Sequence, residues 1–520
     1  MMSFFTLHGP ILPVLIPFVS SIVLLLAAGR HPAMQRGIAA FSTLLLLAAS
    51  AHLLRLTDYL PPLAYALGEW APPFGIVLVA DRLAALGVML TAILAAAALL
   101  YASAGFDRKG RHFHAIFQLQ LVGINGAFLT GDVFNLFVFF EVMLLASYIL
   151  LAHGGGLDKS RSGFAYVTLN LAGSAVFLIA LGLIYGTLGT LNLADIAIQL
   201  QSVSAGEASL VRLAGALLFT VFLLKAAVLP LSFWLPHAYA AAGAPVAALF
   251  AIMTKVGIVA MLRVEVIAFD PAAATQDLLG GWLIIAALAT IAVAALGVLT
   301  AKKLQSLAAW LVLSSAGVLL LLPPLANSAV TAAGLYYLVQ SAITGAAIFL
   351  LSGLIAQSRG QTGDKLLASA TAVPVKLKIG FLLLAATAAG LPPFSGFIGK
   401  LMLLSAVSET PMAALIWTVI LLSGLLTTIA LAKAGSRLFW ESPADMKTVA
   451  ATLATEATPR ICLRQTLAGF GLIAVSLLLL IFARPVSDFT GRTAAQLHQP
   501  EHYIKAVIPD PDATHRVTRP

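Results

Sequence analysis

Apolar residues in this chain come in long runs, and polar residues come as short interruptions between them. A membrane-spanning helix needs about 20 mainly apolar residues. Fourteen runs meet that need, at roughly 11–29, 36–54, 82–104, 113–130, 133–152, 163–186, 211–235, 240–262, 280–300, 303–322, 329–356, 377–406, 412–434 and 464–483. Run 377–406 is too long for one straight span. It contains Gly390, Pro392, Pro393, Gly396 and Gly399, which predicts a broken helix. Run 211–235 is predicted to break at Pro230, because proline removes a backbone donor and crowds the preceding turn. Between the second and third runs, Pro61–Asp81 mixes prolines, Gly68 and a short β-type run at Gly75–Ala80, which predicts an external hairpin or cap. Leu191–Glu207 reads as an external surface segment and Glu441–Pro459 as a cytoplasmic loop. Residues 485–520 read as a polar external tail.

Composition sharpens the picture. The chain is 60% hydrophobic and 10% charged, against about 25% charged in soluble domains. The fold class expected is therefore an all-α polytopic membrane protein, one unit despite its length. The first run lacks a preceding basic region and reads as a span, not a cleavable signal. The single cysteine, Cys462, allows no disulfide within the chain and no thiolate metal site. His112 and His114 read as interfacial residues, not metal ligands. No Walker-type or dinucleotide glycine fingerprint is present, so no nucleotide cofactor is expected; no other cofactor or metal is expected either.

The net charge of +9 does not point to nucleic acid, because the basic residues sit in short loops. With alternate loops assigned to alternate sides, eighteen Lys and Arg fall on one side and four (Arg55, Arg82, Arg212, Arg263) on the other. Five more, Arg484, Arg492, Lys505, Arg516 and Arg519, follow the last run. The positive-inside rule then places the richer side in the cytoplasm and both termini outside.

That count leaves three basic residues in mid-span: Lys225, Lys255 and Lys400. Among the acids, Glu141 alone lies clearly mid-span. It is about 15 Å along a helix from Gly131, half of a hydrocarbon core. An ionisable group in hydrocarbon is costly and by default marks an ion or proton route. Glu141 is expected to pair with a lysine from another span, most plausibly Lys225. A lysine near a movable carboxylate can switch between holding and releasing a proton. Pro230 beside Lys225 frees backbone groups that need substitutes such as water. Lys255 stands nearer a span end, where snorkelling competes with function; Gly257 beside it could admit water or a close helix. Lys400 follows the prolines where Lys225 precedes one, a reversal that an inverted repeat would produce. His237 is a candidate for proton access. Ser306, Ser314, Ser315, Gln340 and Thr344 are neutral polar groups that could hold water or serve helix packing. Asp132 and Asn135 read as a helix cap.

Three stretches together carry a family resemblance: NLFVFFEVMLLASYILL, LLKAAVLPLSFWLPHAYAAAGAPVAALFAIMTKVG and GLPPFSGFIGK. They resemble the antiporter-like subunits shared by Mrp-type cation/proton antiporters and respiratory complex I. The likeness runs over nearly all of spans 3–14 and is closest to D-type subunits of the Mrp, Mnh or Pha antiporters. A lysine ends the span 12 motif, and no lateral amphipathic helix is read after the last span. The resemblance implies fourteen helices in two inverted five-helix repeats, with helices 7 and 12 broken. It implies a division at 1–112, 113–263, 280–438, 439–484 and 485–520. It also implies a proton path through Glu141, Lys225, Lys255 and Lys400. The expected protein is a proton-translocating subunit of a hetero-oligomeric Na⁺ or K⁺/H⁺ antiporter in a bacterial inner membrane. It is a transporter component and not an enzyme. The alternative is a proton-pumping membrane subunit of a quinone oxidoreductase or related hydrogenase. The sequence departs from the family at Gln340, where relatives often place histidine, and at His237, where many place aspartate. Without a titratable side chain in span 11, water would have to bridge Lys255 towards Lys400.

Overall fold

The computed structural model describes residues 7–27, 29, 31–369, 371, 373–440 and 461–509. The segment Glu441–Pro459 and the end of the tail lie outside the described residues. Three helices open the chain: α1 (Leu12–Leu26), α2 (Pro32–Tyr59) and α3 (Arg82–Ala102). The expected hairpin lies between α2 and α3. Its strands, β1 (Leu63–Ala66) and β2 (Val77–Ala80), pair antiparallel, with Leu63 opposite Ala80 and Ala66 opposite Val77.

Two blocks of five spans follow. The first contains α4 (Phe113–Leu129), α5 (Val133–Ala152) and α6 (Leu157–Leu188). After the short α7 (Leu193–Leu200) comes a broken helix, α8 (Ala208–Lys225) and α9 (Trp234–Ala241). The block ends with α10 (Ala244–Phe250) and α11 (Met253–Val264), which a π turn extends to Phe269. The second block contains α12 (Gly280–Thr300), α13 (Leu304–Leu319) with the one-turn α14 (Leu322–Leu325), and α15 (Ser328–Ser358). Its broken helix is α16 (Val375–Ala389) with α17 (Ser395–Val407), and α18 (Ala413–Phe439) closes it. The fourth member is the interrupted one in both blocks. An odd number of spans separates the two block starts, so the second block runs through the bilayer in the opposite sense.

Among the described residues, eleven helices are long and apolar enough to cross a membrane, and α1, α4 and α17 are shorter apolar helices. Burial shows which of them form the centre. The most apolar stretch of Ala244–Phe269 is wholly buried and that of α15 is 94% buried, against 33% for α2 and for α18. The outer helices turn bare leucine, isoleucine and phenylalanine outward, as lipid contact allows. Between spans the association rests on close packing of small residues. Gly257 is one such place, since a Cβ there would lie 3.1 Å from the backbone nitrogen of Ala226. The glycine therefore admits a close helix.

After the last span, α19 (Leu463–Ile481), the segment read as a polar tail is helical. It forms α20 (Ala483–Leu497) and α21 (Pro500–Val507). The first of them is amphipathic, which the reading of a polar tail did not foresee. Its buried face consists of Thr490, Thr493, Ala494 and Leu497, small and hydroxylated residues that a hydropathy reading scores as polar. The segment docks on its own chain. Arg492 holds Asp58 at 2.9 Å, the Arg82 amide donates to Gln496, and His498 meets Thr331 at 2.9 Å. Helix α7, expected on the surface, buries Leu193, Ile196, Ala197 and Leu200. The loops meet in two groups, as alternate sides require. Arg82, Asp58 and the tail gather at one end. The loops after α5, α12 and α15 gather at the other, where Lys303 bridges to Lys365.

Candidate functional site

Glu141 on α5 and Lys225 at the end of α8 belong to one constellation, but they do not touch. Helix α6 packs on both α5 and α8 and places Ser174 between them. The Ser174 hydroxyl donates to Glu141 Oε1 in a short contact. Lys225 Nζ donates to Ser174 Oγ at 3.5 Å and to the Asn170 carbonyl at 3.4 Å. The expected carboxylate–lysine pair is therefore a relay through one hydroxyl. No direct Glu141–Lys225 ion pair exists among the described residues. Ser174 and Asn170 were not foreseen. Their only signal was helical spacing, four residues apart on one face of an apolar helix.

The break after Lys225 contains Pro230, as predicted. Its loosened backbone finds protein partners. The Leu229 amide donates to Thr290 Oγ1 at 3.1 Å, and the Trp234 indole donates to the Leu224 carbonyl at 3.3 Å. Gly257 brings α11 against this break, two residues beyond Lys255.

Lys255 is fully buried, so it does not snorkel to an interface. Its ammonium donates to Ser315 Oγ at 2.8 Å. Ser315 in turn lines a small cavity of ≈ 40 Å³, together with Ser314, Gln340, Thr344, Lys400 and Thr427. A buried water needs about 10–15 Å³ and two or more polar partners. The cavity has room and partners for a few. Gln340 donates to Thr344 at 3.0 Å, and both side chains of α15 line this space together with Tyr337 of the same helix.

Lys400 closes the line. The chain turns at Gly390, whose φ of +82° favours glycine, and passes Pro392 and Pro393 before α17 begins. Lys400 then folds back over the turn. Its Nζ donates to the carbonyls of Ala389 at 2.9 Å and Ala388 at 3.4 Å. Those carbonyls are the free C-terminal end of α16, a favourable place for a cation.

Asp132 caps α5 as expected, accepting from the Asn135 amide at 2.7 Å. His237 is exposed and lines an open cleft of ≈ 990 Å³ with Lys302, Lys303, Ser306 and Trp310. His114 is the second residue of α4. It is buried and bonds Asp107 at 3.0 Å, which also holds Arg36 at 2.6 Å. Burial alone would raise the Asp107 carboxyl. The Arg36 and His114 bonds outweigh it and hold that carboxyl well below the usual carboxylate range. Arg263, assigned above to a loop, is buried and paired with Asp81 at 2.8 Å. Glu265 beside it is a further buried carboxylate, overlooked because the helix runs on to Phe269 past the apolar run. Among the described residues no group of three or more His, Cys, Asp or Glu could hold a metal ion.

Comparisons with known proteins agree with this architecture. The family model described as "NADH:quinone oxidoreductase/Mrp antiporter, TM" matches residues 130–427. The chain is 40% identical over 541 residues to the D subunit of a probable K(+)/H(+) antiporter of Rhizobium meliloti (strain 1021), covering 97% of this chain and 98% of that protein. It is 34% identical over 516 residues to the D subunit of a Na(+)/H(+) antiporter of Bacillus subtilis (strain 168), covering 96% and 99%. A chain of the Mrp complex from Dietzia sp. DQ12-45-1b superposes with a TM-score of 0.86 at 28% identity, covering 97% of this chain and 100% of that one. A chain of respiratory complex I from Thermus thermophilus shares the fold, with a TM-score of 0.75 at 24% identity over 94% and 99%.

Proposed function

Because the chain belongs to the NADH:quinone oxidoreductase/Mrp antiporter membrane family, we propose that it is the proton-translocating subunit of a hetero-oligomeric monovalent cation/proton antiporter. It takes up external H⁺ against export of cytoplasmic Na⁺ or K⁺, without a redox step of its own. The relatives' names divide between K⁺ and Na⁺, and both ions remain within the proposal. The chain sits in a bacterial inner membrane with both termini outside.

One observation carries this reading: a line of buried and half-buried polar groups that runs through both blocks. It begins at Glu141, Ser174 and Lys225. It resumes at Lys255 and Ser315 on the far side of the Gly257 contact, and reaches Lys400 through the polar cavity at Gln340 and Thr344. Glu141 sets the proton affinity of Lys225 through the shared hydroxyl. Movement of a proton along the line alternates the charge on Lys225, Lys255 and Lys400. Water held in the cavity stands in for a histidine at the position of Gln340, beside Tyr337. His237, at the mouth of the open cleft, exchanges protons with the cytoplasm.

The test is cation-dependent proton movement in inverted membrane vesicles carrying the whole complex. Glu141→Ala and Lys225→Ala should each abolish antiport while the complex still assembles. Wild-type rates in either variant would remove these residues from the path. The runner-up reading, a subunit of a proton-pumping oxidoreductase, predicts quinone-linked electron transfer in the purified complex and no cation-driven exchange.

A further inference from the structure

Two spaces approach each other along α13. Ser306 and Trp310 line the open cleft of ≈ 990 Å³. Leu311, Ser314 and Ser315 line the small cavity of ≈ 40 Å³ that Gln340 and Lys400 also line. Ser306, Trp310 and Ser314 are four residues apart, so they form one stripe on one helix face, about 12 Å long. Polar groups stand at both ends of the stripe, and the indole stands between them. The indole is half-buried. It lies on bare backbone at Gly297 of α12, where a Cβ would come within 2.1 Å of Trp310 Cδ2 and 2.3 Å of its Cε3.

We propose that Trp310 is a gate between the open cleft and the small polar cavity, seated by Gly297. The proposal rests on the reading of the cavity as part of a proton path. A proton crosses such a region along hydrogen-bonded groups that both donate and accept. An indole N–H only donates, so a seated Trp310 interrupts any chain of water between Ser306 and Ser314. The cleft is large enough to receive the ring when it swings out. With the ring out, water from the cleft reaches Ser314, and through Ser315 the ammonium of Lys255. Gly297 keeps the closed state available, because any side chain there would occupy the place of the ring. Neither residue is titratable, so a count of mid-span charges passes over both.

The experiment reads access directly and needs no transport. In the whole complex in membrane vesicles, with Cys462→Ser as background, Ser314→Cys and Ser306→Cys are reacted with a small charged methanethiosulfonate. Labelling of this chain is followed in time, in inverted and right-side-out vesicles. Ser306→Cys should label fast from the cleft side in every background. Ser314→Cys should label slowly. Adding Trp310→Ala should speed it at least about tenfold, because an open minor state is populated at roughly 10% or less. Gly297→Ala should do the same without touching the ring, and Trp310→Phe should stay slow. Chain level and co-purification with partner subunits check folding, and Trp310→Leu replaces Trp310→Ala if that variant does not accumulate. Equal labelling of Ser314→Cys with and without Trp310, or labelling only from the face opposite the cleft, would overturn the gate. Because antiport is not measured, a failed gate leaves the Glu141 and Lys225 tests of the proton path untouched. A failed path likewise leaves the access result standing.

Discussion

Ser174→Ala isolates the least expected part of the constellation. The hydroxyl donates to the Glu141 carboxylate and receives the Lys225 ammonium at 3.5 Å. The second contact is at the outer limit of a hydrogen bond and contributes little by itself. The first is charge-assisted, worth about 1.5–3 kcal/mol net. Alanine takes the hydroxyl donor away from Glu141 and removes the one group among the described residues that touches both charges. If that link is made where the proton moves, the whole of its energy appears in the barrier. At about 1.4 kcal/mol per decade, the antiport rate should fall roughly 10- to 100-fold. Ser174→Thr keeps the hydroxyl and should retain most of the rate. The assay is cation-driven dissipation of a pH gradient in inverted vesicles, normalised to the amount of chain in the membrane. Ser174→Ala transporting within about twofold of wild type, a difference of about 0.4 kcal/mol, would show that Glu141 and Lys225 do not communicate through this hydroxyl.

Three further outcomes follow from the geometry. Gln340→Leu lines the small cavity with a side chain that cannot bond water, and should slow antiport markedly at unchanged chain level, while Gln340→His should preserve or raise the rate. Gly390→Ala forces a side chain onto a backbone at φ +82° and within 2.9 Å of Lys400 Cδ; strain of about 1 kcal/mol and a displaced ammonium should reduce both heat resistance and antiport. Asp81→Ala removes the cap of α3, about 1 kcal/mol, and strands the buried Arg263 charge, about 3–5 kcal/mol. It should lower the heat-inactivation temperature of the complex far more than the double change Asp81→Asn with Arg263→Met, and equal losses in the two would refute an uncompensated charge as the cause.

The long apolar runs and the prolines made most of the fold legible. Each run answers to a helix, and both breaks lie where Pro230 and the Pro392–Pro393 pair put them. Mid-span charge was equally legible, because a lone lysine in hydrocarbon needs a reason to be there. What the sequence hid is of two kinds. Ser174 and Asn170 are small polar residues on a helix whose other faces are apolar, and only the third dimension shows that α6 stands between α5 and α8. Arg263 and Glu265 were hidden by position, since a charge just beyond an apolar run looks like a loop charge until Asp81 arrives from another span. The last helices were hidden by composition. Thr490, Thr493 and Ala494 make a tight buried face without the leucines that hydropathy rewards.

The two broken helices associate a lysine with the end of a half-helix by opposite sequence orders. Lys225 is the last helical residue before its break, and Lys400 comes ten residues after Gly390. Position along the chain would make them unlike. Yet Lys225 sits at the C-terminal end of α8, and Lys400 folds back to bond the last carbonyls of α16. Lys400 thus holds its ammonium at the negative end of a half-helix, and Lys225, the last residue of another, reaches across to Asn170 and Ser174 of α6. The difference lies in what else faces them. Lys225 also meets Ser174, which holds the Glu141 carboxylate, so its surroundings can change charge. Lys400 meets backbone carbonyls and the neutral groups of the cavity, whose charge is fixed. If the proposed path is right, the first block supplies the adjustable proton affinity and the second the constant one. Exchange of a proton between them is then driven from the Glu141 side, across a cavity lined by Tyr337, Gln340 and Thr344.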